Sequence, residues 1–103
     1  MNILIVDDQI SVLKGITSGV DFKKIGISNV YTATSVSEAK KIIQSNDISI
    51  LLTDIEMPGE NGLILSKWVC ENYPAIIIIL LTSHASFTYA KESIRLGCFD
   101  YLL

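Results

Sequence analysis

An α/β domain built on a doubly wound parallel sheet is predicted by three observations. Apolar runs of strand length recur at Asn2 to Val6, Ile48 to Thr53 and Ile76 to Leu81. The stretches between them carry apolar residues at helical spacing, and each run stops at an acid or a hydroxyl residue. A strand buried on both faces reads as a continuous apolar run, not as an alternation. Regular alternation of such strands with helices makes a parallel sheet covered by helices on its faces.

The elements follow in order. Asn2 to Val6 is a strand stopped by Asp7-Asp8, and Val12, Ile16 and Gly19-Val20 then place a first helix from Ser11 to Val20. Val30 to Ala33 is a short second strand. Ser35-Val36-Ser37-Glu38 fits a capping box, in which hydroxyl and carboxylate satisfy free backbone donors at a helix start. Val36, Ala39, Ile42 and Ile43 form that helix's buried stripe. The Ile48 to Thr53 strand ends at Asp54, and Met57-Pro58-Gly59 supplies turn chemistry. A helix over Gly62 to Asn72 follows, with Leu63, Ile64, Trp68 and Val69 as its stripe. Ile76 to Leu81 is the fourth strand, ending at Thr82-Ser83. Ser86 caps a fourth helix whose Phe87, Ala90 and Ile94 share a face, and Gly97 stands just past its end. Phe99 to Leu103 starts a fifth strand. The expected strand order is 2-1-3-4-5, a flavodoxin-like arrangement. The helix that should follow the fifth strand is missing from this chain, so part of one sheet face is expected to be uncovered.

Composition bounds the function classes. Of 103 residues half are apolar and 18% are charged, the reverse of the signature of disordered chains. One domain spanning residues 1–103 is expected, able to bury a core without metal or disulfide staples. The longest apolar run, Ala75 to Leu81, falls far short of the roughly 20 residues that cross a bilayer. A net charge of −3 with scattered basic residues argues against direct binding of nucleic acid. No basic leader precedes a signal-peptide core, which leads to the expectation of a cytoplasmic protein. Cys70 and Cys98 lack CxxC spacing and are expected to be reduced, structural thiols.

The acids carry the chemistry. In doubly wound sheets ligands bind outside the carboxyl ends of the strands, where strand order reverses. Asp7 and Asp8 end strand one, Asp54 ends strand three and Thr82 ends strand four, so three carboxylates and a hydroxyl converge on one pocket. Converging carboxylates repel unless a cation lies between them. Oxygen ligands of this kind suit Mg²⁺ or Mn²⁺, and Mg²⁺ is commonly shared between carboxylates and a phosphate. Phosphoryl transfer to a carboxylate is therefore the leading chemistry. The adjacent Asp7 and Asp8 most naturally form the metal-binding pair. Asp54, alone across the pocket, is the better nucleophile, and Thr82 would donate to a phosphoryl oxygen.

These residues resemble the receiver domain of two-component response regulators. The segments that carry the resemblance are Ile3-Leu4-Ile5-Val6-Asp7-Asp8, Leu51-Leu52-Thr53-Asp54-Ile55-Glu56-Met57-Pro58-Gly59-Glu60-Asn61-Gly62, Ile79-Leu80-Leu81-Thr82-Ser83 and Gly97-Cys98-Phe99-Asp100-Tyr101-Leu102-Leu103. The resemblance implies that Asp54 accepts a phosphoryl group from a sensor histidine kinase. It implies that Asp8, Asp54 and the backbone carbonyl of Glu56 bind Mg²⁺ directly, with Asp7 assisting through water. Thr82 and Tyr101 look like the family's coupled switch pair. Glu56 and His84 match positions that tune the lifetime of the phosphoryl group. The segment from Phe87 to Leu103 further resembles receivers joined to AraC-type DNA-binding domains. Implied partners are thus the kinase, a C-terminal DNA-binding output domain that regulates transcription, and a second copy in a homodimer. The chain stops one residue before the lysine that receivers carry after the fifth strand. A receiver domain cut short at its C-terminus is expected, lacking that lysine and the last helix.

The leading expectation is a phosphorylation-controlled signalling switch and not a turnover enzyme. A Mg²⁺-dependent phosphatase of the haloacid dehalogenase type is the alternative, but it wants an acid/base carboxylate where Glu56 offers a longer substitute. A phosphorylation-independent interaction module is a third reading. A flavodoxin-like electron carrier is disfavoured, because the loop after strand one opens with two acids that would repel a phosphate.

Overall fold

A computed structural model of the chain describes residues 1–57, 60–81 and 100–102. Strand β1 (Asn2–Val6) leads into helix α1 (Ile10–Gly19), a 3-10 turn (Lys23–Ile25) and strand β2 (Asn29–Ala33). Helix α2 (Val36–Ser45), strand β3 (Ile50–Asp54), helix α3 (Gly62–Asn72), strand β4 (Ile77–Leu81) and strand β5 (Asp100–Leu102) follow. All five strands lie in one parallel sheet in the order β2-β1-β3-β4-β5. The expected fold class and strand order are those observed. The expected fourth helix, with Ser86, Phe87, Ala90, Ile94 and Gly97, lies outside the described residues.

Burial follows the two faces of β1. Leu4 and Val6 pack with Leu51, Leu80, Ala39, Ile43, Leu65 and Val69 on the side of α2 and α3. Ile3 and Ile5 pack with Leu13 and Ile27 on the side of α1. A strand whose successive side chains point to opposite faces is apolar throughout only if both faces are covered. The covering is uneven further along the sheet. Ile78 and Leu80 are buried, whereas Ile77 on the opposite face is 59% exposed and Ile79 and Leu81 are half-buried.

Helix starts and faces show where local chemistry decided. Ser35 sits in extended backbone at the start of α2, and its hydroxyl accepts from the Glu38 amide at 3.2 Å. Glu38 in turn accepts from the Thr34 hydroxyl at 3.5 Å. Helix α1 begins one residue earlier than expected, with Leu13 buried and Val20 exposed. Helix α3 corrects one stripe residue. Its buried face is Gly62, Leu65, Ser66 and Val69, while Ile64 is 63% exposed. At 100° per residue, position 64 lies nearly opposite that face. Leu63 and Trp68 flank the face half-buried, and the Trp68 ring lies 5.5 Å from Tyr73 and under the Lys40 ammonium at 5.1 Å.

Cys70 is half-buried on α3, and Cys98 lies outside the described residues. No helix among the described residues is long and apolar enough to cross a membrane.

Candidate functional site

The carboxyl ends of β1 and β3 lie side by side because Val6 pairs with Thr53 in register. Sheet pairing continues one residue past β1: the Asp7 amide donates to the Ala33 carbonyl at 3.1 Å. The Asp7 carboxylate then accepts from the Gln9 amide at 2.9 Å. An aspartate that bonds the backbone two residues on forms a tight turn of its own, and here that turn carries the chain from β1 into α1. Asp7 is buried at 6% exposure, whereas Asp8 and Asp54 are half-buried.

Asp54 is the last residue of β3, opposite Leu81 of β4. The backbone beyond it is pinned. The Ile55 amide donates to the Leu81 carbonyl at 3.3 Å, and the Gly62 amide donates to the Ile55 carbonyl at 2.8 Å. Ile55 itself is 1% exposed. Glu56 pairs with Asn61 and Met57 with Glu60 in a two-residue antiparallel ladder; Pro58 and Gly59 of the expected turn lie outside the described residues. The Gly62 bond to Ile55 thus starts α3 directly beside the strand end.

This geometry brings Asp7, Asp8 and Asp54 together. One carboxylate oxygen from each lies within 4.8 Å of the others. Burial pushes the Asp7 carboxyl above the usual carboxylate range; the Gln9 amide opposes that shift, and the neighbouring Asp8 adds to it. A buried acid beside a second acid is costly to ionise without a counter-charge. Three hard oxygen donors at this separation fit a small divalent cation such as Mg²⁺ or Mn²⁺.

The remaining expected site residues are placed only in part. Glu56 lies in the short ladder two residues after Asp54, so its backbone is on the same loop. Tyr101 is in β5, in register with Leu80. Thr82 and His84 lie outside the described residues. Thr53 and Gly62 stand in the segment that carries the family resemblance, but their contacts with Asp54 were not read from the sequence. Thr53 is fully buried and its hydroxyl donates to the Asp54 carbonyl at 3.0 Å. Gly62 is packed so closely that a Cβ there would overlap the Asp54 carbonyl oxygen and stand 2.9 Å from its carbon. A glycine three residues after a Pro-Gly pair was the available signal for the second, while a threonine inside an apolar run gives none.

Residues 3–103 match the family model of the response regulator receiver domain. The chain belongs to that family. As a receiver domain of a two-component response regulator it is 35% identical over 101 residues to the transcriptional regulatory protein YesN of Bacillus subtilis, covering 98% of this chain and 27% of that protein. It is 30% identical to the transcriptional regulatory protein HptR of Staphylococcus aureus, over 98% of this chain and 39% of that one. The receiver domain therefore spans about a quarter to two-fifths of these curated relatives. Among solved structures, a two-component transcriptional regulator AraC from Clostridium phytofermentans superposes with a TM-score of 0.92 at 25% identity, covering 99% of this chain and 79% of that one. The REC domain of AraT, a response regulator from Geobacillus stearothermophilus, gives 0.88 at 33% identity, with 99% and 79% covered.

Proposed function

We propose that this receiver domain is a phosphorylation-controlled switch in which Asp54 accepts a phosphoryl group from a histidine kinase. The observation that carries the reading is the convergence of the Asp7, Asp8 and Asp54 carboxylates in a chain of the receiver family. In the transfer, an Asp54 carboxylate oxygen attacks the phosphorus of a phosphohistidine. The P–N bond breaks, and the imidazole leaves with its electron pair and takes up a proton. Asp54 suits the nucleophile's place because it stands alone on β3, while Asp7 and Asp8 share one strand end.

Asp8, Asp54 and the Glu56 carbonyl would hold Mg²⁺ or Mn²⁺, with Asp7 assisting through water. Such a cation supplies charge neutralisation on the transferring group. Asp7 and Asp8 keep the carboxylates gathered around it, and the Gln9 amide orients Asp7. Thr82 and Tyr101 form the switch pair in this reading: the added charge favours the state in which the Thr82 hydroxyl reaches it and the ring turns inward. Glu56 and His84 would tune the lifetime of the phosphoryl group. Residues 1–103 act as the receiver unit of a cytoplasmic regulator whose output domain binds DNA and controls transcription; the names of YesN and HptR make those two proteins transcriptional regulators. The domain acts as a stoichiometric phosphoryl acceptor, not a turnover phosphatase.

Incubation of the protein with acetyl phosphate and Mg²⁺, followed by intact mass measurement, tests the reading. One added phosphoryl group is expected on the parent and none on Asp54→Asn. A folded parent that stays unmodified, or that releases many equivalents of phosphate from a phosphate ester, would overturn it.

A further inference from the structure

We propose that Thr53 is a positioning residue for the Asp54 nucleophile, acting through the backbone carbonyl of Asp54. The inference rests on the phosphoacceptor reading of Asp54 and adds a residue to it. Thr53 is 0% exposed and stands in register between Val6 of β1 and Leu80 of β4, both fully buried. A valine would suit this strand position equally in shape and in β preference. A buried hydroxyl is unfavourable unless it is hydrogen-bonded. What the hydroxyl adds here is one bond, to the Asp54 carbonyl at 3.0 Å.

That carbonyl is the hinge of the site. Its orientation fixes the backbone torsion between the Asp54 side chain and the peptide that follows, and so the spacing between the Asp54 carboxylate and the Glu56 carbonyl. The other side of the same peptide is tied at the Ile55 amide to Leu81. Gly62, with no Cβ, lets α3 close against the carbonyl, and the fully buried Ser66 hydroxyl donates to the Gly62 carbonyl at 2.8 Å and braces that first turn. Thr53 is the side chain among these that donates to the hinge oxygen. Loss of that bond lets the torsion drift, and small displacements of a reacting group have large effects on rate.

The test separates hydroxyl from packing. In the full chain, Mg²⁺ affinity and the rate of phosphorylation by acetyl phosphate at saturating Mg²⁺ are measured for the parent, Thr53→Val, Thr53→Ser and Thr53→Ala, alongside thermal unfolding. Thr53→Val keeps the methyl and replaces the hydroxyl with a second methyl of similar size; it is expected to be phosphorylated roughly tenfold more slowly and to bind Mg²⁺ several-fold more weakly. Thr53→Ser loses a methyl and keeps the hydroxyl; it is expected to melt below the valine variant yet react within about twofold of the parent, because rate follows the hydroxyl bond. Should the valine variant fail to fold, the serine and alanine pair carries the comparison, with alanine slow and serine fast. A valine variant at the parent's rate and affinity, or serine as slow as alanine, overturns the proposal while leaving the phosphoacceptor reading in place. A parent that takes no phosphoryl group overturns that reading itself.

Discussion

The Cα of Gly62 lies against the carbonyl of Asp54, so closely that any side chain at 62 would have to occupy the space of that oxygen. Helix α3 can therefore start directly beneath the end of β3 only with glycine as its first residue. Gly62→Ala is expected to destabilise the domain by about 1–3 kcal/mol or more, as overpacking of rigid backbone does. It should also slow phosphoryl acceptance, because the displaced group is the backbone of the nucleophile. Urea unfolding midpoints and acetyl phosphate labelling check the two effects.

Asp7 gives a pH prediction with a definite sign. Its folded carboxyl holds a proton to higher pH than in the unfolded chain, first because it is buried. The stability tied to that proton is fully present below the unfolded value and is lost as pH rises through the raised folded value. Asp7→Asn removes this loss. The stability of the variant minus that of the parent should therefore grow as pH rises through and above the carboxylate range, measured by urea unfolding in the presence of a chelator. Adding Mg²⁺ near neutral pH should stabilise the parent by mass action and the variant less. A difference that shrinks with rising pH would contradict the assignment of Asp7 as the costly acid.

The α3 face predicts a contrast between neighbours. Leu65→Ala removes a fully buried side chain and is expected to cost about 2–5 kcal/mol. Ile64→Ala, at a position 63% exposed, should change stability by no more than about 0.5 kcal/mol. Chemical denaturation of the two variants decides it.

At the start of α2, Ser35→Ala removes the acceptor of the Glu38 amide and is expected to cost about 1 kcal/mol. Ser35→Asn should recover most of it, since asparagine caps helices as well as serine does. The same unfolding measurement applies.

Much of this was legible in the residues because each rested on a local rule. The strand ends at Asp7 and Asp54 read out where apolar runs stop, and the start of α2 read out from Ser35 and Glu38. What was not legible depended on distance in space. Ile64 sits in an apolar stretch, and only the phase of α3 against the sheet turns it outward. Thr53 looks like one more β-branched strand residue until its hydroxyl is seen against the Asp54 carbonyl. The ladder of Glu56–Met57 with Glu60–Asn61 is hidden within a turn sequence.

The most direct test of the central claim is the chemical location of the phosphoryl group. After reaction with acetyl phosphate and Mg²⁺, borohydride reduction converts an aspartyl phosphate to homoserine, and peptide mass mapping locates it. Homoserine at position 54, formed with Mg²⁺ and not with a chelator, is the predicted result. Homoserine at position 7 or 8 instead, or a phosphoryl group retained on a hydroxyl residue with position 54 intact, would contradict it.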